Sequence, residues 1–327
     1  MTKRQPVFDV MKGIAIIAVV LGHFDDIPIL LSRLIYSFHM PLFFIVSGYF
    51  YHPIDQPLLK VQRDFKRLIL PYLLTFGVLV CNAFFLHFIV RSDHSHILPT
   101  LWGGGGFPTG FHEKSLRANS YPIWFLCALF WCRILFNASY IKLGRRATLI
   151  IAPIISVLVI WLYNKWLIDL PFALVVGLSA LIYYEAGLLI KQYGKRVNRK
   201  LLLAVFAFWL MTFRFVKIDM VVCEYSNFFF AFLVSLCGTV GIYVLSKGLT
   251  QLKSIKLFSV VPEYLTWLGS GSMVVLCVHT VERCYPVWQV VGISDRWIIF
   301  LCRMVLYTLT LYLFGRIRIT SRIFGLE

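Results

Sequence analysis

The chain has 327 residues and a formal net charge of +17, with 59% hydrophobic and only 14% charged residues. Soluble domains carry about 25% charged residues, so this composition excludes an ordinary water-soluble enzyme and makes lipid the solvent for most of the surface. The excess of 32 Lys+Arg over 15 Asp+Glu lies in clusters between apolar runs, which points to anionic headgroups and excludes nucleic acid as the partner.

A helix needs about 20 apolar residues to cross the hydrocarbon core. In chain order the apolar runs predict an all-α, polytopic membrane protein of about ten transmembrane helices. They lie near residues 8–24, 34–51, 67–90, 121–137, 147–165, 170–190, 200–216, 227–246, 264–283 and 296–315. The first is short and polar-edged, and the fourth and ninth are interrupted by polar residues. Long continuous runs exclude a barrel, whose strands are short and alternating. The first run carries Asp9 and Lys12 with no small-residue cleavage site after it, so it reads as a retained helix.

Lys and Arg gather in alternate connections, around Lys3–Arg4, Arg63–Arg67, Arg145–Arg146, Arg196–Lys200 and Arg316–Arg322. The positive-inside rule places these connections, and both termini, in the cytoplasm. Residues 1–327 read as one membrane domain without a soluble appendage. The stretch 91–120, with Trp102 and Gly103–Gly106, is then an outer connector or a lid over an outer cleft. Eight cysteines, with no CxxC pair, read as small core hydrophobes. Cys223 and Cys284, in expected outer loops, are the one pair placed for a disulfide.

Charged and imidazole groups inside a membrane helix are expensive and usually functional. The first helix has three, Asp9, Lys12 and His23. Lys12 and His23, eleven residues apart, share one face and lie about 16 Å apart along the axis. Asp9 is about 21 Å from His23, so it is placed to pair with Lys12 rather than to orient the imidazole. Alone, Lys12 reads equally as a snorkelling residue and His23 as an interfacial cap.

The run Phe38-His39-Met40-Pro41-Leu42-Phe43-Phe44-Ile45-Val46-Ser47-Gly48-Tyr49-Phe50 opens and fills the second helix. Together with Phe8-Asp9-Val10-Met11-Lys12-Gly13 and Gly22-His23, it resembles the acyltransferase 3 family, and within it the fucose 4-O-acetylase-like subgroup. Lys12 stands where many members have Arg, with ten residues between it and the histidine. Arg63-Asp64-Phe65-Lys66-Arg67 before Leu70-Pro71-Tyr72 is similar to the family's basic motif. Its usual Arg–two residues–Arg frame falls here on Arg63 and Lys66, with Arg67 adjacent. Tyr121-Pro122-Ile123-Trp124-Phe125-Leu126 and Leu268-Gly269…His279 look like later signatures. The match is dense over about 8–75 and sparse afterwards.

The resemblance implies an enzyme of the bacterial inner membrane. Its activity would be transfer of an acyl group, usually acetyl from cytoplasmic acetyl-CoA, without a metal. The acceptor would be a hydroxyl of a surface glycan or of its undecaprenyl-linked precursor. His23, His39 and Asp9 form the expected catalytic set, with neutral His23 as the base for the acceptor hydroxyl. Lys12, Arg63, Lys66 and Arg67 are expected to hold the donor's phosphates, since Arg offers a bidentate fork. Trp124, His279 and Glu282 are expected near the acceptor, with Glu282 or Asp25 as candidates to orient an imidazole. Ser47 is either a polar wall, an acyl relay or a small packing residue beside Gly48. A transporter or flippase of a lipid-linked glycan would share the polar interior but need no acyl donor. A sensor or structural component would tolerate substitutions along the first helix.

Overall fold

The computed structural model describes residues 5–24, 26–90, 122–166, 170–252, 259–284 and 287–326. The expected lid at 91–120 and Asp25 lie outside the described residues.

Helices form over the apolar runs, with interruptions at Ser37-Phe38, Gly144 and Gly271. Pro6 occupies the first turn of α1 (Pro6–Gly22), where its missing N–H costs nothing. The second run splits at Ser37-Phe38 into α2 (Ile29–Tyr36) and α3 (His39–Tyr49). Helix α4 (Pro57–Asp64) passes through a π-helical turn, Phe65–Ile69, into α5 (Leu70–Val90). Helix α6 (Trp124–Trp166) has two arms, because Gly144 at φ +79° leaves the helical conformation. There follow α7 (Leu174–Ser179), α8 (Leu181–Tyr193), α9 (Arg199–Thr212) and α10 (Phe228–Leu252). The last part comprises α11 (Val260–Ser270), α12 (Ser272–Arg283), a single turn α13 (Val287–Val290), α14 (Arg296–Arg316) and α15 (Arg318–Phe324).

Five of these helical stretches are long and apolar enough to cross a membrane, and six if the bent pair α11–α12 counts as one span. The sequence reading of about ten spans is not confirmed by this count, which covers the described residues. Helix α1 has 17 residues and α9 only 14, each short for a crossing. The fourth and fifth expected spans are two separate helices that meet at the non-helical Gly144. The ninth breaks at Gly271, where α11 and α12 diverge by 73°. Helix α5 leads into residues outside those described. The lipid-facing character is nonetheless plain in exposed apolar stripes, such as Leu301, Val305 and Leu309 on α14 and Ile150, Ile154 and Leu158 on α6. The chain is a multi-pass, all-α membrane protein.

The segment 217–226, expected as a bare loop, instead holds the two strands found among the described residues. Strand β1 (Ile218–Asp219) pairs antiparallel with β2 (Glu224–Tyr225). Val216, Ile218, Met220 and Val222 are all buried, a period of two that fits a strand rather than a helix. The hairpin thus plugs one end of the bundle. Cys223 is buried in its turn, and Cys223 and Cys284 are not joined, so the possible disulfide between them is not formed.

Two backbone crossings fix the central helices. Helix α1 packs most extensively against α11, and α3 against α8. A Cβ on Gly13 would overlap the Leu265 carbonyl, and one on Gly269 the Asp9 carbonyl. A Cβ on Gly48 would overlap the Tyr184 carbonyl, and one on Gly187 the Ile45 carbonyl. Glycine lets backbones meet where lipid offers no hydrophobic drive between helices.

Gly269→Ala and Gly48→Ala should each lower the thermal stability of the detergent-solubilised protein, by roughly 1–3 kcal/mol or more for backbone overpacking. Gly77→Ala, where a Cβ meets nothing within 4 Å, should be neutral or gain up to about 1 kcal/mol. Equal melting curves for all three would contradict the crossings.

Candidate active site

His23 ends α1. Its ring Nδ1–H donates to the Val19 carbonyl at 2.6 Å, satisfying an acceptor that the helix end would otherwise orphan. His39 opens α3, and its Nδ1–H donates to the Ile35 carbonyl at 2.8 Å across the break from α2. A carbonyl only accepts, so both neutral rings carry their proton on Nδ1 and a lone pair on Nε2. Both line one cavity of about 390 Å³, which we call the hairpin-end cavity because Asp219 and Met220 form part of its wall.

Behind His23 lies a buried polar network. The rings of His23 and His279 meet edge to face at 5.3 Å between centroids. The Tyr307 hydroxyl donates to Glu282 Oε2 at 2.9 Å, so it accepts from His279 Nδ1–H at 2.8 Å. Arg303 Nε donates to Glu282 Oε1 at 3.1 Å, and Trp288 Nε1 donates to the same oxygen. The Arg303 guanidinium also lies over the Phe24 ring, 4.5 Å from its centroid. The carboxylate thus neutralises Arg303 and orders the Tyr307–His279 pair on which the His23 ring rests.

A second cavity, of about 680 Å³, opens at the opposite, basic end. Lys12, Lys66, Arg67, Arg133 and Arg322 line it, with apolar walls from α1, α3 and α6. Five cations on an apolar channel suit a polyanion with a long, less polar tail. Asp64 is fully buried beside it and accepts from Arg133 Nη2 at 2.8 Å and from Lys60 Nζ. Arg133 Nη1 in turn donates to Ser47 Oγ at 3.0 Å. The π-helical turn at Phe65–Ile69 shifts the helical phase just where the basic motif sits. Lys66 and Arg67 fall in the cavity wall, while Arg63 is exposed and outside it. The two cavities approach each other at Met40, which lines both. Val19, whose carbonyl holds His23, also lines the basic cavity.

A family model for an acyltransferase domain matches residues 6–316 of the chain. The chain belongs to the acyltransferase 3 family. It is a membrane acyltransferase. No curated protein and no solved structure gives a match.

The expected acyltransferase residues divide by place. His23, His39 and Trp124 share the hairpin-end cavity; Trp124 is buried there rather than sitting at a lipid interface. His279 and Glu282 are buried behind that cavity and outside its wall. Asp9 lies at the basic end, 2.7 Å from Lys12 Nζ, so it acts on the lysine and not on His23. Residues that the sequence reading left without a role are Asp64, Arg133, Arg303, Tyr307, Asp219 and Arg283. Arg133 and Arg303 carried a usable signal, since an arginine inside an apolar run demands a partner. Asp219 carried only the alternating pattern around it. Burial pushes its carboxyl above the ordinary range, against backbone bonds from Val222 and Val221. Among the described residues no cluster of three or more His, Cys, Asp or Glu is placed to hold a metal.

Asp64→Ala should destabilise the acyltransferase by about 3–5 kcal/mol, because it strands Lys60 and Arg133 without their carboxylate. Arg63→Ala, at an exposed position, should stay within about 0.5 kcal/mol. Thermal melting of both variants in detergent checks the contrast.

Proposed function

We propose that this acyltransferase moves an acetyl group from cytoplasmic acetyl-CoA, across the membrane interior, to a hydroxyl of a surface glycan or its lipid-linked precursor. The observation that carries this reading is the pair of opposed cavities, one basic and one holding two histidines, that approach each other at Met40. The positive-inside distribution supports a cytoplasmic position for the basic cavity, and the resemblance implies a bacterial inner membrane. There, Lys66, Arg67 and Arg322 bind the donor's phosphates, and Lys12, paired to Asp9, adds positive potential further along the channel.

The acceptor enters from the hairpin end. Its hydroxyl oxygen attacks the thioester carbonyl carbon. The new C–O bond forms as the C–S bond breaks, His23 Nε2 takes the hydroxyl proton, and the thiolate leaves toward the basic cavity. The bond from His23 Nδ1 to Val19 holds the base in the right tautomer. His279, Tyr307 and Glu282 support the ring from behind. The broken α11–α12 pair is a feature shared with transporters, so a flippase is the second reading. Release of free CoA in step with glycan modification separates the two.

His23→Ala should cut glycan acetylation by roughly 10²–10⁴-fold, the usual worth of a general base. Mass spectrometry of the surface polysaccharide, normalised to protein level, checks this. Unchanged acetylation would sink the proposal. Lys66→Ala with Arg67→Ala should raise the KM for acetyl-CoA at least tenfold, since charge-assisted hydrogen bonds contribute about 1.5–3 kcal/mol each. An unchanged KM would remove the phosphate-binding role.

A further inference from the structure

The hairpin-end cavity contains a carboxylate that the reaction itself does not use. Asp219 sits on β1, in the cavity wall with His23, His39 and Trp124. Its Oδ1 accepts from the Val221 N–H at 3.1 Å, and among the described residues no ion pair involves it. A carboxylate has about four lone-pair sites, so acceptor capacity remains.

The hairpin that presents Asp219 is firmly held. Ser226 N–H donates to the Lys217 carbonyl at 3.1 Å, and Lys217 N–H donates to Ser226 Oγ at 3.2 Å. Asn164 Nδ2 on α6 donates to the Cys223 carbonyl at 3.1 Å. Ile218 and Met220 on either side are buried. Asp219 is therefore a fixed acceptor beside the histidines, as recognition of a hydroxyl pair requires.

The charge of the wall narrows the ligand. Besides its imidazoles, the described residues lining this cavity include one carboxylate, Asp219, and one guanidinium, Arg283. The basic cavity is lined by five cations. An anionic sugar would meet Asp219, and a cationic aminosugar would meet Arg283. With the two charges in balance, the described wall offers no net attraction to either charged class, which favours a neutral sugar.

We infer that Asp219 is a specificity-determining residue that accepts hydrogen bonds from two adjacent hydroxyls of a neutral sugar acceptor. The inference rests on the acetyl-transfer reading and deepens it by naming the acceptor class. Asp219 positions the ring, and the base at His23 selects the reacting hydroxyl.

The test uses the full chain in native membranes with labelled acetyl-CoA. Three probes are compared: the methyl glycosides of a neutral deoxyhexose, of glucuronic acid and of glucosamine. The wild-type chain should acetylate the neutral glycoside best. Asp219→Ala should raise the KM for that glycoside tenfold or more, with the KM for acetyl-CoA unchanged and kcat within a few-fold. Asp219→Asn, which keeps the acceptor for Val221 and the shape of the hairpin, should fall between the two. An unchanged glycoside KM in a folded Asp219→Ala protein overturns the inference. So does a wild-type preference for either charged glycoside, or transfer to none of the three. His23→Ala is run in parallel on surface-glycan acetylation. If it remains active, the acetyl-transfer reading itself has failed; if it is inactive while Asp219→Ala behaves as wild type, only the Asp219 assignment has failed.

Discussion

Backbone-to-backbone contact at four glycines is the constraint on which the rest of this structure depends. Gly13 and Gly269 let α1 lie directly on α11, and Gly48 and Gly187 let α3 lie on α8. In lipid the helices gain little from hiding apolar side chains, because the tails are equally apolar. Close approach, dispersion contact and polar bonds must hold the bundle instead. The α1–α11 crossing also sets the height of His23 relative to His279, since α12 leaves α11 two residues after Gly269, at Gly271. Moving α1 outward by the radius of a methyl group would part the two rings that now meet edge to face.

Two buried charge clusters then specify the arrangement. At the hairpin end, Glu282 gathers Arg303, Tyr307 and, through the hydroxyl, His279. At the basic end, Asp64 gathers Arg133 and Lys60. Each places an acid against a cation that an apolar helix carries into the interior. Such pairs contribute little net stability over a well-packed apolar core, but breaking one leaves a charge uncompensated. Here their positions matter more than their energy. One supports the imidazole side of the interior, and the other shapes the wall that carries Lys66 and Arg67.

The contrast between the cavities follows from these two clusters. At the basic end the cations outnumber the acids that reach them, so a net positive channel remains. At the hairpin end the acid and base groups balance among the described residues, and two imidazoles with Nε2 lone pairs line the cavity. A polyanionic donor and an uncharged acceptor would therefore sort themselves to opposite ends before any chemistry occurs.

Much of this was legible in the residues. Composition determined the lipid environment, and the apolar runs determined an all-helical chain, because unpaired backbone groups are intolerable in hydrocarbon. The eleven-residue spacing placed Lys12 and His23 on one face at different heights, and the short range to Asp9 predicted its pairing with Lys12. These are local consequences of helix geometry. Where the helices break was not local: the breaks at Ser37-Phe38, Gly144 and Gly271 depend on what packs beside them. The partners of Arg133 and Arg303 were not local either, since Asp64 and Glu282 lie on other helices. Nor was the hairpin, whose strands exist only because Ile218, Met220 and Val222 find the open end of a bundle to fill. Sequence by itself determined the solvent, the helices and a set of candidate residues. Only tertiary structure decided which of those residues face a cavity, because that depends on where separate helices cross, and glycine backbones set the crossings.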